Sequence, residues 1–184
     1  STGPMVIDQP ISRSATMPTY NVLELLNTGD VVFQSNLDLG NAQLVAQSLA
    51  GNLQGLGNIM AGTANLFSST GSITLSGELT AQTLTANAPG GSINLSGEVN
   101  AGSLGLNAPA GNVFVENDDN NIITLTGANY NEQFRLRDSV GGMGITGFVD
   151  GGTASTGQIE VRGGNLVLQQ GARVFFGGPN RIFR

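Results

Sequence analysis

Apolar residues in the central part of the chain come in pairs two positions apart: Ile73 and Leu75, Leu79 and Ala81, Leu84 and Ala86. The pattern returns at Ile93 and Leu95, Val99 and Ala101, Leu104 and Leu106. Such period-two alternation predicts short strands with one buried face. The pairs do not share a parity, since 73, 75, 79 and 81 are odd while 84 and 86 are even. A corner must intervene to turn all three pairs inward. Gly71, Gly77 and Asn87-Ala88-Pro89-Gly90 supply turn chemistry. Three short strands and three corners make a triangular coil.

The coil repeats. Residues 71–90 and 91–110 are identical at 12 of 20 positions. Twenty residues earlier the apolar positions hold Leu53, Gly55, Ile59, Ala61, Ala64 and Leu66. A further step of twenty gives Phe33, Ser35, Leu39, Asn41, Leu44 and Ala46, and Val113 and Val115 open a fifth unit that then departs. One coil cannot bury its own apolar face. Stacking coils at about 4.8 Å pairs each strand with its equivalents above and below. The expected fold class is therefore all-β, a short β-solenoid of parallel coils of about 20 residues over 31–115. Ile73, Leu75, Leu79, Ile93, Leu95 and Val99 face inward, and Asn87 lies on Asn107. A meander of antiparallel hairpins is the competing arrangement, but it does not require a 20-residue identity period.

The flanks lack that period. Residues 1–30 contain Pro4, Pro10 and Pro18 and read as an extended N-terminal arm lying on a neighbour. Within them Met17-Pro18-Thr19-Tyr20 reads as extended chain, and Asn21–Leu26 as one helical turn or a strand. Residues 116–184 read as a C-terminal β cap or small β domain. Ile122–Thr126 and Gln133–Asp138 alternate, the latter with Phe134 and Leu136 on one face and Arg135 and Arg137 on the other. Three glycine-punctuated units, 158–164, 165–171 and 172–178, make either a final wider coil or a small sheet. Gly141-Gly142 and Gly151-Gly152 are expected at turns with φ > 0. Four coils rise only about 19 Å and leave two open ends. The flanks then cap those ends, or the chain self-associates.

Composition narrows the chemistry. The chain has no His, Cys, Trp or Lys, and all seven basic residues are Arg. That removes the imidazole base, the thiol nucleophile, the common zinc sites and the Schiff-base lysine. A net charge of −6 argues against a nucleic-acid partner. No run of about 20 apolar residues predicts a membrane span. Ser1–Pro10 lacks the basic and apolar regions of a secretory leader.

Candidate sites each have two readings. Glu116–Asn121, with Asp118 and Asp119, is a hard-cation loop or a solvated turn; it lacks EF-hand spacing. Glu78 and Glu98 recur at one repeat position and are a glycosidase-like carboxylate pair or outward solubilising charges. Arg135 and Arg137 form an anion site or a strand face set against Glu132 and Asp138. Arg162, Arg173, Arg181 and Arg184 make the C-terminal charge positive, for docking on an acidic neighbour or for solubility. Gly163-Gly164 lacks the strand–loop–helix context of a phosphate loop. No catalytic, cofactor-binding or metal-ligating residue is assigned, and no cofactor is expected.

The units GSITLSGELTAQTLTANAPG and GSINLSGEVNAGSLGLNAPA resemble the β-helix repeats of filamentous haemagglutinin-type adhesins. They also resemble short-stranded segments of bacteriophage tail fibres and spikes, as does the C-terminal GQIEVRGGNLVLQQGARVFFGGPNRIFR in style. The fibre resemblance implies a non-enzymatic virion protein used in assembly and host attachment. It further implies a homotrimer and contacts to virion or cell-surface proteins and to surface glycans; the open ends of a short stack make a head-to-tail filament the second arrangement. The adhesin resemblance implies a secreted adhesin or extracellular filament subunit. A polysaccharide-cleaving β-helix enzyme is a third class, but it needs a groove with carboxylates and the acidic residues here are scattered. Neither pattern includes a catalytic motif, so no functional residue carries over.

Overall fold

A computed structural model describes residues 3–13 and 21–178, and the backbone of 181–183. The fold is a β-solenoid of about seven turns, each of about 21 residues. Its first face is a nine-stranded parallel sheet. The strands are Met5–Ile7, Val31–Phe33, Leu53–Gly55, Ile73–Leu75, Ile93–Leu95, Val113–Val115, Gln133–Asp138, Thr156–Val161 and Arg181–Phe183. The second and third faces belong to one folded sheet, because strands such as Ile59–Ser68 and Val99–Ala108 run through the corner between them. The nine strands of the first face span about 38 Å at the usual strand spacing.

The interior is built from in-register columns. Val31, Leu53, Ile73, Ile93, Val113 and Phe134 form one. Leu44, Ala64, Leu84, Leu104 and Leu125 form another. All are buried, and so are the six residues expected to face inward. Each fully buried Leu or Ile contributes about 1.5–3 kcal/mol of transfer free energy. Bulk is matched between neighbouring coils. A Cβ on Gly157 would collide with the Phe176 ring, so glycine makes room for that aromatic, while one on Gly55 would collide with the Phe33 carbonyl oxygen of the preceding coil. Near the C-terminal end Tyr130 stacks on Phe134 at 5.3 Å between ring centroids and tilts against Phe176 at 6.5 Å.

The corners carry side-chain ladders that complete backbone hydrogen bonding between coils. Asp30 Oδ1 accepts from Asn52 N at 2.7 Å, Asn52 Oδ1 from Ser72 N at 2.9 Å, and Ser72 Oγ from Ser92 N at 3.0 Å. Ser92 Oγ then accepts from Asn112 N at 3.0 Å, and Asn112 Oδ1 from Gln133 N at 2.8 Å. A corner amide pointing along the stack meets no strand carbonyl, and a short polar side chain supplies the acceptor.

The stack reaches beyond 31–115 in both directions. Residues expected as an extended arm lying on a neighbour supply Met5–Ile7, Ile11–Ser12 and Val22–Asn27, each paired in parallel with the next coil. Asn21–Leu26 therefore resolves as strand. The Met17–Tyr20 segment lies outside the described residues. The three glycine-punctuated C-terminal units lie on the three faces of one widened coil, with Ile159 on the first, Leu166–Leu168 on the second and Arg173–Phe175 on the third.

Register and turn geometry differ from expectation at three places. Leu53, Gly55 and Ile59 pair with Val31, Phe33 and Leu37, not with Phe33, Ser35 and Leu39. The coil holding Val31 has two extra residues in a turn at Gly40 (φ 55°), closed by Ala42 N donating to Leu39 O at 3.0 Å. After that turn the expected pairs Leu44–Ala64 and Ala46–Leu66 hold. One coil later than Val99–Ala108, an extra residue makes a bulge at Thr126, whose hydroxyl donates to Leu104 O at 2.9 Å. Of Gly141, Gly142, Gly151 and Gly152, only Gly141 has positive φ (84°). Gly151 lies in a strand, and glycine is needed there because a Cβ would collide with the Ser155 hydroxyl and lie 2.5 Å from the Tyr130 hydroxyl.

Candidate functional site

Most sequence candidates resolve into structural contacts. Glu78 is exposed and accepts from Thr80 Oγ1 at 2.9 Å; Glu98 is partly exposed and accepts from Asn100 Nδ2 at 2.7 Å. Both point outward from the corner after the first face. Gly163-Gly164 packs on Gly141 and Gly142 backbone with no space for a Cβ, so this glycine pair serves a coil contact.

The acidic segment and the two strand arginines form one network across three coils. Asp118 Oδ1 receives Arg137 Nη1 at 2.6 Å and Arg162 Nη1 at 2.9 Å. Glu160 receives Arg137 Nε at 3.2 Å on one oxygen and Arg162 Nε at 2.8 Å on the other. Arg137 Nη1 also donates to Glu116 O at 3.1 Å, while Arg135 pairs with Glu116 at 3.7 Å and lies 5.9 Å from the Phe114 ring centroid. Two carboxylates and two guanidiniums neutralise one another here. The Arg162 hydrogen bond foremost, then Arg137, holds the Glu160 carboxyl below its ordinary range, and Glu160 in turn raises Arg162. Among the described residues no group of three or more acidic side chains is placed to hold a metal.

Asp138, expected opposite the arginines, is instead inside. Its Oδ1 accepts from Ile122 N at 2.8 Å, while Oδ2 is buried without a partner. Burial pushes its pKa up. Asn120 does similar work one coil earlier: Oδ1 accepts from Val99 N at 2.8 Å, and Nδ2 donates to Arg137 O at 2.9 Å. Burial also raises the Tyr130 hydroxyl, with Ser155 opposing. Alternation alone did not single out Asn120, and the corner ladder could have been found from Asn and Ser recurring at 52, 72, 92 and 112.

Two surfaces are left without an internal role. A shallow trough of about 500 Å³ crosses the third face, with Gly105 and Gly127 in its floor and Thr85, Asn107, Asn129, Phe148 and Asp150 around it. It has no cation, and Phe148 is 61% exposed. The second surface is the pair of stack ends. Leu168 is in register with buried Ile145 yet 51% exposed, because no strand lies beyond Leu166–Leu168 among the described residues. Met5, Ile7, Ile11 and Leu23 at the other end are only partly buried. Each end also shows strands paired on one side alone.

No helix is long and apolar enough to cross a membrane among the described residues. Comparison with protein-family models, curated proteins and solved structures finds no match.

Proposed function

We propose that the protein is a non-enzymatic rod segment of a self-associating fibre or spike, of the kind a phage virion uses in assembly and host attachment. The observation that carries this reading is the uninterrupted parallel stack with apolar interior, whose end strands are paired on one side alone among the described residues. Unpaired edges template association with another β-structure, and exposed interior side chains gain burial on contact. The outer faces carry corner hydrogen bonds, one ion-pair network around Asp118 and Glu160, and outward carboxylates such as Glu78. Attachment to a neutral surface glycan would use the cation-free trough around Phe148. A secreted adhesin or extracellular filament subunit is the second reading, favoured by the winding of successive coils from one chain.

Sedimentation velocity and negative-stain microscopy of the purified chain test the reading. The expected result is assemblies that grow with concentration. A stable, folded monomer of 18.8 kDa at micromolar concentration overturns self-association.

A further inference from the structure

The columns that begin on the strand Val22–Asn27 match at the two ends of the stack. Parallel strands keep their polarity from coil to coil, so only the opposite end of another copy can continue the stack. Such a contact is head-to-tail and open-ended. The register fixes which residues would meet. Leu23 begins an interior column that runs through Leu44, Ala64, Leu84, Leu104, Leu125 and Ile145 and ends on Leu168. Leu25 begins the column that ends on Val174.

Between and beside these lie two outward columns. One starts at Glu24 and passes Val45, Asn65, Thr85, Gly105 and Gly127. One residue ahead of the Ala128–Val149 pair it continues to Phe148 and ends on Arg173. The other starts at Leu26 and ends on Phe175, and these two side chains are 54% and 52% exposed. Continuing the sheet by one coil therefore sets apolar against apolar at Leu168–Leu23, Val174–Leu25 and Phe175–Leu26. It sets Arg173 against Glu24. The charge contrast is wider than that pair: residues 163–184 hold three arginines and no acidic residue, while 1–30 hold Asp8, Glu24 and Asp30 against Arg13.

We propose that the partner of each end is the opposite end of a second copy, stacked so that the strand Val22–Asn27 of one copy pairs in parallel with Arg173–Phe175 of the next. This rests on the self-associating rod reading and adds its polarity and register. Like charges opposed at this contact weaken it, and exchanging both restores it.

The chain has no cysteine, which allows a direct test. Directly paired strand positions lie within disulfide reach. In the full chain carrying both Leu26→Cys and Phe175→Cys, mild oxidation is expected to give a ladder of covalent multimers on a non-reducing gel. Leu26→Cys with Val167→Cys, off the column, is expected to give none. Arg173→Glu alone is expected to weaken association about fivefold to tenfold at low salt, and Glu24→Arg in the same chain to restore it. Assembly without the Leu26–Phe175 cross-link, or charge reversal without loss and rescue, overturns this register and leaves the rod reading standing. Covalent or sedimenting species that stop at three copies overturn it in favour of a closed trimer. A stable monomer overturns both.

Discussion

At the residue scale, the narrow interior makes single positions decisive. Leu95 is fully buried between Leu75 and Val115. Leu95→Asp puts an unpaired charge into that column and is expected to abolish folding, read as loss of the β-sheet circular dichroism signal. Glu98→Gln keeps the acceptor for Asn100 and should change stability by less than about 0.5 kcal/mol. Glycines divide just as sharply. A Cβ on Gly97 would collide with the Gly77 carbonyl oxygen, whereas one on Gly105 meets only the Thr126 hydroxyl at 3.1 Å and Thr85 at 4.0 Å. Gly97→Ala is therefore expected to lower the urea midpoint strongly, and Gly105→Ala to change it far less. Equal effects of the two would mean that coils are not in contact at the Gly97 corner.

At the element scale, two carboxylates on the Gln133–Asp138 and Thr156–Val161 strands pull stability in opposite directions with pH. Glu160 sits below its ordinary pKa because the arginines favour its charged form. Its contribution is present above the ordinary glutamate range and is lost as pH falls through the lowered pKa. Asp138 sits above its ordinary pKa because burial disfavours the charge. Its contribution is full below the ordinary aspartate range and is lost as pH rises through the raised pKa. Urea melts across acid and neutral pH separate the two: Asp138→Asn is expected to stabilise at pH 7 relative to pH 4, and Glu160→Gln to destabilise at pH 7 and progressively less as pH falls below the ordinary glutamate range. Stabilisation by Asp138→Asn that is the same at both values would show that its burial is not the cause. The Asp118 loop makes a further prediction. Its carboxylate oxygen already holds two guanidiniums, so millimolar calcium should not raise the melting temperature, and a clear rise would restore the cation-loop reading.

At the scale of the whole molecule, folding and assembly separate at the stack ends. Leu95 and Leu168 both face inward by register, but only Leu95 is enclosed. Leu168→Asp is expected to keep the β-sheet signal of the wild type while shifting sedimentation to smaller species. Loss of folding in this variant would mean that the end coil is integral to the core. Assembly unchanged by it would place the contact on a lateral face instead.

The sequence alone determined the coil. Period-two pairs, the parity change between Ala81 and Leu84, and the 20-residue identity specify three faces and an inward set, because those features depend on residues close in the chain and on exact repetition; the second and third faces prove to share one strand that bends at the corner. The extent of the stack was not legible. A coil can gain residues at a corner, as at Gly40 or Thr126, without losing a strand pairing, and each gain erases the fixed period that a reader of the sequence follows. The tertiary structure therefore decided that Met5–Ile7 and Arg173–Phe175 join the same stack. It also decided where charge lies. Arg137 and Asp138 are adjacent in one strand, yet one joins a surface network and the other an interior amide. Pleating sends neighbouring side chains to opposite faces, and only the neighbouring coils determine what each then meets.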